Sequence, residues 1–470
     1  MNQGFPGPQL SWGVFIALFT PILFQEGMFL DGVSYAAIAR NLAIEVGDFC
    51  HLHYTNTLYP ILREHPPLAI WCQSWFFRWF GDHLWVERVY AILMAGLSAW
   101  GISLNWRLLA PASWRKLYWL PVLCWLGIPI VVWSYRNNML ENTMSVMVLA
   151  ATYCLAKAVQ EKGAGWTLLG SFWVLAAVLS KGPVGLFPLA VPFILGVFSS
   201  KRSMLQGMGW SVGAVLGFCL LGFGLWWLMP CIQEVIQGYV QTQLFPAMAT
   251  GREVPVVNRL NLILVLVQQL LPVLLAAILI IGWFRWKSGA LVKTNNPCAG
   301  IWLGIAVSGS LPIMLSLKQS AHYLVPSMPY YAMFFAGLLA PVVSGYSPFT
   351  ARIWRIGKVL VPALLVLVAV VTALTDRDRS LLADVRKVVV VAGQGSTIAT
   401  TDALSGNWLV VAYFSRIGNV SLHGSGKEEY YLCGPQDPIP GVEYQEIPSR
   451  LEGFRLYRIS AANTPHHDGF

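Results

Sequence analysis

Apolar runs long enough to cross a bilayer recur along most of this chain, and no other feature constrains its fold as strongly. A bilayer core of about 30 Å takes roughly 20 helical residues to span. Eleven such runs are predicted, at about 12–30, 87–105, 117–134, 139–156, 166–180, 183–198, 208–229, 260–283, 299–317, 322–341 and 357–374. The two that flank Lys181 are short for the role. Charged residues make up only 11% of the chain, against about a quarter in soluble domains, which excludes an ordinary water-soluble fold. After Thr375 the pattern changes: residues 376–470 are charged, rich in Gly and Pro, and carry no span. The chain therefore reads as an α-helical integral membrane protein with about 11 transmembrane helices over 1–375, followed by a small soluble α/β domain over 376–470. No internal repeat is evident.

Orientation follows from where Lys and Arg fall between the spans. With the N-terminus inside, the short inner loops hold Arg107, Arg115, Lys116, Lys157, Lys162, Lys201, Arg202, Arg285, Lys287, Lys293, Arg352, Arg355 and Lys358, 13 basic residues against the single acid Glu161. The expected arrangement is a cytoplasmic N-terminus and an external C-terminal domain, periplasmic in a Gram-negative cell. This asymmetry accounts for the net charge of +9, so a nucleic-acid partner is not needed. The first 11 residues lack a basic n-region, so a cleaved signal peptide is not expected. Eight cysteines are scattered without a C-x-x-C pair; Cys50, Cys72 and Cys433 could face an oxidising compartment, but nothing in their spacing indicates a bridge.

The first outer loop, about 31–86, is long enough to carry structure or function of its own. It opens on "FLDGVSYAAIARNL", where an apolar run stops at Asp31 and Tyr35, Ile38, Ala39 and Leu42 share one face of a helix. That amphipathic segment, 32–44, is expected to lie in the interface plane. The aromatic stretch 66–81 suggests a second interfacial helix, and the loop 230–259 holds "EVIQGYVQTQLF". In the C-terminal domain, "GNWLVVAYFSRIG" suits a helix closed by Gly418. "STIATTD", "NVSLHG", "EEYYLCG" and "GFRLYRIS" suit strands, and "KVVVVAG" suits either a helix end or a strand.

Ionisable groups gather at the outward ends of the spans: Asp31, "REHPPL" (63–68), "SYRNNMLEN" (134–142), "SKGP" (180–183) and "LKQSAHYLVP" (317–326). Charges at membrane depth are costly and tend to face cavities that mark substrate routes, so one outward-facing polar cavity is expected. The order of these motifs resembles the bacterial relatives of protein O-mannosyltransferases, a group that includes the lipid A aminoarabinose transferases. These are polyprenyl-phosphate-sugar-dependent glycosyltransferases of the GT-C class. The resemblance runs from residue 1 to about 340. It implies a catalytic role for Asp31, with Gly32 standing where relatives often carry a second polar residue. Glu141, where the family usually has Asp, is the second catalytic candidate. The resemblance implies substrate contacts from Arg63, Glu64, His65, Tyr135, Arg136, Lys181, Lys318, His322 and Tyr323. His65 replaces the commoner Lys. Lys181 matches the phosphate-facing lysine, and Glu64 is the one implied metal ligand, for a divalent ion.

The residue types suit that chemistry on their own terms. A phosphate leaving group develops charge that lysine and arginine stabilise, and an acceptor hydroxyl loses a proton that a carboxylate can take. No nucleotide-binding signature is present. Simpler readings stay open beside these. Asp31 is a candidate N-cap, Arg63 and Glu64 a solvated ion pair, Glu141 a partner of Arg136 and Lys181 a snorkelling topology marker. His322 suits a satisfied polar residue, and "CHLH" (50–53) carries metal-ligand types without diagnostic spacing.

The expected function is transfer of one sugar from polyprenyl (undecaprenyl) phosphate to lipid A, a protein or another glycan at the outer face of the inner membrane, with membrane lipids as the surroundings. The rivals are a ligase or polymerase using diphosphate-linked donors, and a lipid-linked-sugar transporter.

Overall fold

The structure, a computed structural model, describes residues 7–249, 258–288, 297–345, 347–374, 377–424, 426–438, 441 and 443–460. The expected loop segment 250–257 and the last ten residues lie outside the described residues. Among the described residues, nine helical segments are long and apolar enough to cross a membrane: 7–24, 86–109, 140–161, 164–181, 201–228, 261–287, 298–315, 321–344 and 355–372. Two expected spans take other forms. The run 117–134 is a bent pair, Trp119–Leu126 and Pro129–Arg136, meeting at 79°. The first helix stops at Gly127, Ile128 is extended, and Pro129 opens the second helix. This fits a residue that has no N–H to give and disfavours α geometry before it. The run 183–198 yields only the short apolar helix 183–197. It begins as the 3₁₀ segment Pro183–Ala190 with Pro188 inside, too short to span as a rod.

The first apolar run is also divided. An α-helix over Gly7–Phe19 gives way to a 3₁₀ turn over Thr20–Phe24 containing Pro21. A non-helical link follows, and a new helix starts at Leu30. Asp31 is thus not the last residue of a span but lies in the first turn of the next helix.

The contacts divide the chain into two compact units. The first comprises 1–23, 63–69 and 88–372; the second comprises 24–62, 70–87 and 373–470. The sequence draws one boundary near 375, whereas by contacts most of the first outer loop groups with the C-terminal segment. Within the first unit, Leu140–Glu161 and Ala164–Lys181 form an antiparallel hairpin. Their junction is Lys162, in left-handed conformation, and Gly163. At 22 residues, the first of these is about 33 Å long. Its most apolar window is 67% buried, and that of Ala321–Ser344 is 78% buried. The two are linked where Tyr330 shares a hydrogen bond with Thr152 at 2.7 Å and donates to the Val148 carbonyl at 3.0 Å. By contrast, the windows of Lys201–Leu228 and Arg355–Thr372 are 6% and 11% buried. Leu216, Leu220, Phe223 and Trp227 stand exposed on the former. Apolar faces without a protein partner are what lipid-facing helices present. The chain is a multi-pass membrane protein.

The second unit contains a five-stranded mixed sheet of order β2-β1-β3-β5-β4, with β1 Thr397–Thr400, β2 Ser421–Gly424, β3 Tyr430–Cys433, β4 Tyr444–Glu446 and β5 Arg455–Ile459. β1 runs parallel to β2 and β3, and β5 runs antiparallel to β3 and β4. The helices Arg379–Ala392 and Trp408–Gly418 complete the small α/β domain. The "KVVVVA" stretch is helical, and β4 is a strand the sequence pattern does not suggest. Gly418 does not close its helix. It is the last helical residue, and Asn419 makes the left-handed cap. A Cβ on Gly418 would collide with the Val389 side chain, so the glycine serves helix–helix contact.

The expected interfacial helix of the first outer loop is instead buried on every side. In Leu30–Ala43, every residue from Gly32 to Leu42 is buried, and the helix packs against Trp408–Gly418. Its apolar face is not its only enclosed face, because Arg40 and Asn41 are buried with partners. Arg40 donates to the Ser415 carbonyl (2.7 Å) and to Asp82 (3.1 Å), and Asn41 donates to the carbonyls of His53 and Tyr54. The aromatic helix Leu68–Phe80 keeps Trp71, Trp79 and Phe80 exposed.

Candidate functional site

In the first unit, the start of Leu140–Glu161 and the end of Ala164–Lys181 bring Glu141 and Lys181 together. The Lys181 Nζ is 3.4 Å from a Glu141 carboxylate oxygen, and the His322 Nε2 is 3.9 Å from the same oxygen. Glu141 has 1% of its side chain exposed, Lys181 10% and His322 12%. A buried carboxylate is costly unless a cation compensates it. The pair exists because a two-residue connection folds two long helices antiparallel, so the first turn of one faces the last turn of the other. Neither Glu141 oxygen accepts a hydrogen bond from a described residue. His322 is stacked on Trp133 at 5.9 Å between ring centroids and meets Tyr323 edge-on at 4.7 Å. The Lys181 ammonium lies over the Tyr323 ring at 6.0 Å.

Lys181 faces a cavity of about 490 Å³ whose polar lining includes His65, Tyr239, Gln243, Lys318 and Tyr323. Its other walls are largely apolar, from Val184, Leu186, Phe187, Met248 and Ile313. An adjoining pocket of about 470 Å³ shares Pro183, Tyr239 and Leu244 with it, and is lined by Leu175, Val178, Phe218, Trp226 and Ile232. A cationic chamber beside an apolar trough has the form needed for an amphiphile with an anionic head. Gly182 follows Lys181 with φ of +101°, a conformation open to glycine. A Cβ there would strike the Tyr239 hydroxyl. Two structural reasons therefore require the glycine of "SKGP".

The sequence-expected residues fall into three groups. His65, Lys181, Lys318 and Tyr323 line the cavity. Glu141 and His322 are held around Lys181 but are not lining residues. Tyr135 is fully buried, with its hydroxyl 2.7 Å from Ser98 and its ring against Trp125 and Phe19, so it packs in the core rather than in the cavity. Arg136 donates to the Thr372 hydroxyl at 3.3 Å. Arg63 is exposed; its aliphatic stem covers Gly238, and its carbonyl accepts from Thr242. Glu64 is half-buried. Sequence reasoning missed Tyr239, Gln243 and Trp133. The "GYVQTQ" stretch at 238–243 gave no charge signal that singled out Tyr239 or Gln243.

In the second unit, Asp31 lies half-exposed in the first turn of Leu30–Ala43, whose N-cap position is Phe29. The N-cap reading of Asp31 is therefore corrected. A first-turn acid there faces the positive end of the helix dipole. Close by, the Tyr54 hydroxyl meets Ser34 at 3.0 Å. Burial pushes the Tyr54 phenol well above its usual range. The Ser34 hydrogen bond opposes this, and the negative charge of Asp31 adds to it.

Among the described residues no group of three or more His, Cys, Asp or Glu side chains could hold a metal. In "CHLH", Cys50 is disulfide-bonded, a bridge that its spacing alone did not indicate. His51 pairs with Asp48 at 3.0 Å and the His53 Nδ1 lies 3.0 Å from the Pro60 carbonyl. Cys72 and Cys433 are free thiols.

Residues 64–227 match the family model of dolichyl-phosphate-mannose-protein mannosyltransferases. The matched span holds Glu64, His65, Tyr135, Arg136, Glu141 and Lys181; Asp31, Lys318, His322 and Tyr323 lie outside it. YycA of Bacillus subtilis (strain 168), provisionally named as a mannosyltransferase, is 22% identical over 191 residues, 41% of this chain and 27% of that protein. The chain thus spans about a quarter of that relative's length. Among solved structures, ArnT from Cupriavidus metallidurans bound to undecaprenyl phosphate superposes with a TM-score of 0.66 at 13% identity, over 97% of this chain and 99% of that one. The oligosaccharyltransferase AglB from Archaeoglobus fulgidus, in complex with an inhibitory peptide and a dolichol-phosphate, gives 0.51 at 10% identity, over 92% and 70%. Over residues 64–227 the chain thus resembles the dolichyl-phosphate-mannose-protein mannosyltransferases, and almost its whole length shares the fold of the ArnT structure.

Proposed function

We propose that this protein moves a single sugar from polyprenyl (undecaprenyl) phosphate to a hydroxyl acceptor, on lipid A, a protein or another glycan, at the periplasmic face of the bacterial inner membrane. The N-terminus is then cytoplasmic and the C-terminal α/β domain periplasmic. The basic inner loops support that orientation, as does Cys50, whose disulfide suits an oxidising compartment. The observation that carries the reading is Lys181, a cation in a cavity that also takes Lys318 and His65 and adjoins an apolar trough. In the reaction, the bond between the anomeric carbon and the phosphate oxygen breaks, and a bond from the acceptor oxygen to that carbon forms. The acceptor proton passes to a carboxylate, and polyprenyl phosphate leaves. Lys181 and Lys318 offset the charge that develops on the phosphate. Glu141, behind Lys181 and away from the cavity lining, acts as a positioning residue that fixes the ammonium. Asp31 is assigned the base. The adjoining trough suits the isoprenoid chain.

The test is Asp31→Asn in the full-length protein in detergent, with purified undecaprenyl-phosphate sugar and lipid A or peptide acceptors. The substitution keeps the shape and removes only the charge and the proton acceptor. Because Asp31 is not the cap, its cost in stability should stay below about 1 kcal/mol, while kcat falls by about 10²–10⁴. An Asn variant within a few-fold of wild type sinks the role of Asp31. Transfer from a diphosphate donor in place of the monophosphate sinks the donor class.

A further inference from the structure

We propose that the Tyr239 hydroxyl is a hydrogen-bond donor to the phosphate of the polyprenyl donor; this rests on the functional reading above and adds a residue that neither the motifs nor that reading supplied. The sequence around Tyr239 is uncharged and drew no attention as a ligand. The structure places its ring at the end of the helix Pro230–Tyr239, in the wall shared by the cationic cavity and the apolar trough.

Three observations support the role. First, the hydroxyl makes no hydrogen bond with a described residue. The residue is half-buried and borders both the cavity and the trough, so the hydroxyl is open to a ligand. Second, the hydroxyl lies over the backbone of Gly182, the residue after Lys181, so close that any Cβ there would strike it. The turn that delivers the ammonium to the cavity therefore delivers the phenol beside it. Third, burial pushes the phenol up to about 12, with the negative charge of Glu141 adding to the effect. The group stays protonated and able to donate when an anion arrives. A neutral donor also fits the site's balance. Part of the Lys181 charge is engaged by Glu141, so a further anchor that adds no repelling cation beside Lys181 and Lys318 is what a phosphate monoester there would need.

The experiment uses the full chain in detergent or nanodiscs and measures binding of undecaprenyl phosphate, with undecaprenol and inorganic phosphate as separate probes. Tyr239→Phe keeps the ring over Gly182 and removes one oxygen. The expected result is undecaprenyl phosphate binding weakened about tenfold or more, undecaprenol binding unchanged, and an unchanged thermal midpoint. Binding of undecaprenyl phosphate equal to wild type, with Lys181→Ala weakened, overturns the role of Tyr239 and leaves the wider reading intact. Equal loss for undecaprenyl phosphate and undecaprenol makes Tyr239 a wall of the trough and overturns the proposal. A wild-type protein that binds none of the probes overturns both readings together.

Discussion

Two buried ion clusters differ in a way that separates fold from function. In the second unit, Arg416 donates to both Glu87 oxygens at 3.1 and 3.0 Å, to Asp82 at 2.6 Å and to the His83 carbonyl at 2.9 Å. Its guanidinium also sits over the Phe77 ring at 5.0 Å. Arg40 shares Asp82 from the other side. Burial works against the charge on Arg416, but Glu87 and Asp82 outweigh it and raise its pKa. In the first unit, Glu141 has one cation at 3.4 Å, a histidine at 3.9 Å and no hydrogen bond on either oxygen from a described residue. One cluster is saturated and closed. The other leaves both carboxylate oxygens without a hydrogen bond from a described residue, and its cation lines a cavity. A saturated network specifies a packed arrangement, whereas an incompletely satisfied one keeps interaction capacity for a ligand. The sequence shows no such distinction, since both clusters begin as ordinary acids and bases at helix ends.

The largest stability effect should come from breaking the closed cluster. Arg416→Ala leaves Glu87 buried without its partner and should cost about 3–5 kcal/mol, read as a large fall in the thermal midpoint of the purified protein. A midpoint near wild type would mean the network is not a keystone. Glu141→Gln sharpens the contrast. It should lower kcat/KM about tenfold or more, roughly 1.4 kcal/mol, while shifting stability much less than Arg416→Ala, because the cavity can hydrate the released ammonium. If Glu141→Gln unfolds the protein as readily as Arg416→Ala, the two clusters are of one kind. Lys181→Ala should raise the KM for the polyprenyl-phosphate sugar about tenfold, with membrane expression kept. An unchanged KM and kcat would reduce Lys181 to a topology marker. Asp82→Asn should have the smallest effect, under about 1 kcal/mol, because Asp82 is 41% exposed and water can replace its role. A larger loss would extend the closed cluster to the surface.

Much of the fold was legible because it follows from local pattern. Apolar length alone located nine of the eleven expected spans among the described residues, since the bilayer imposes one length scale on every span. The β1, β2, β3 and β5 strands were legible for the same local reason. The breaks were harder to see: Pro21, Gly127–Pro129 and Pro188 interrupt runs that hydropathy alone reads as continuous. Where each element packs was not legible. The Leu30–Ala43 helix reads as amphipathic, yet it is enclosed on all sides, because Arg40 and Asn41 find buried partners in residues distant along the chain. In the candidate site, motif order named Lys181, His65, Lys318 and Tyr323, and the structure gathers these around one cavity. Tyr135 and Tyr239 went the other way. Both are tyrosines at helix ends, but one hydroxyl is engaged by Ser98 in the core while the other makes no hydrogen bond with a described residue and faces the cavity. Sequence sets residue type and helical length, because those depend on neighbours along the chain. Which polar group is satisfied depends on atoms brought together by folding, and only the tertiary structure decided that.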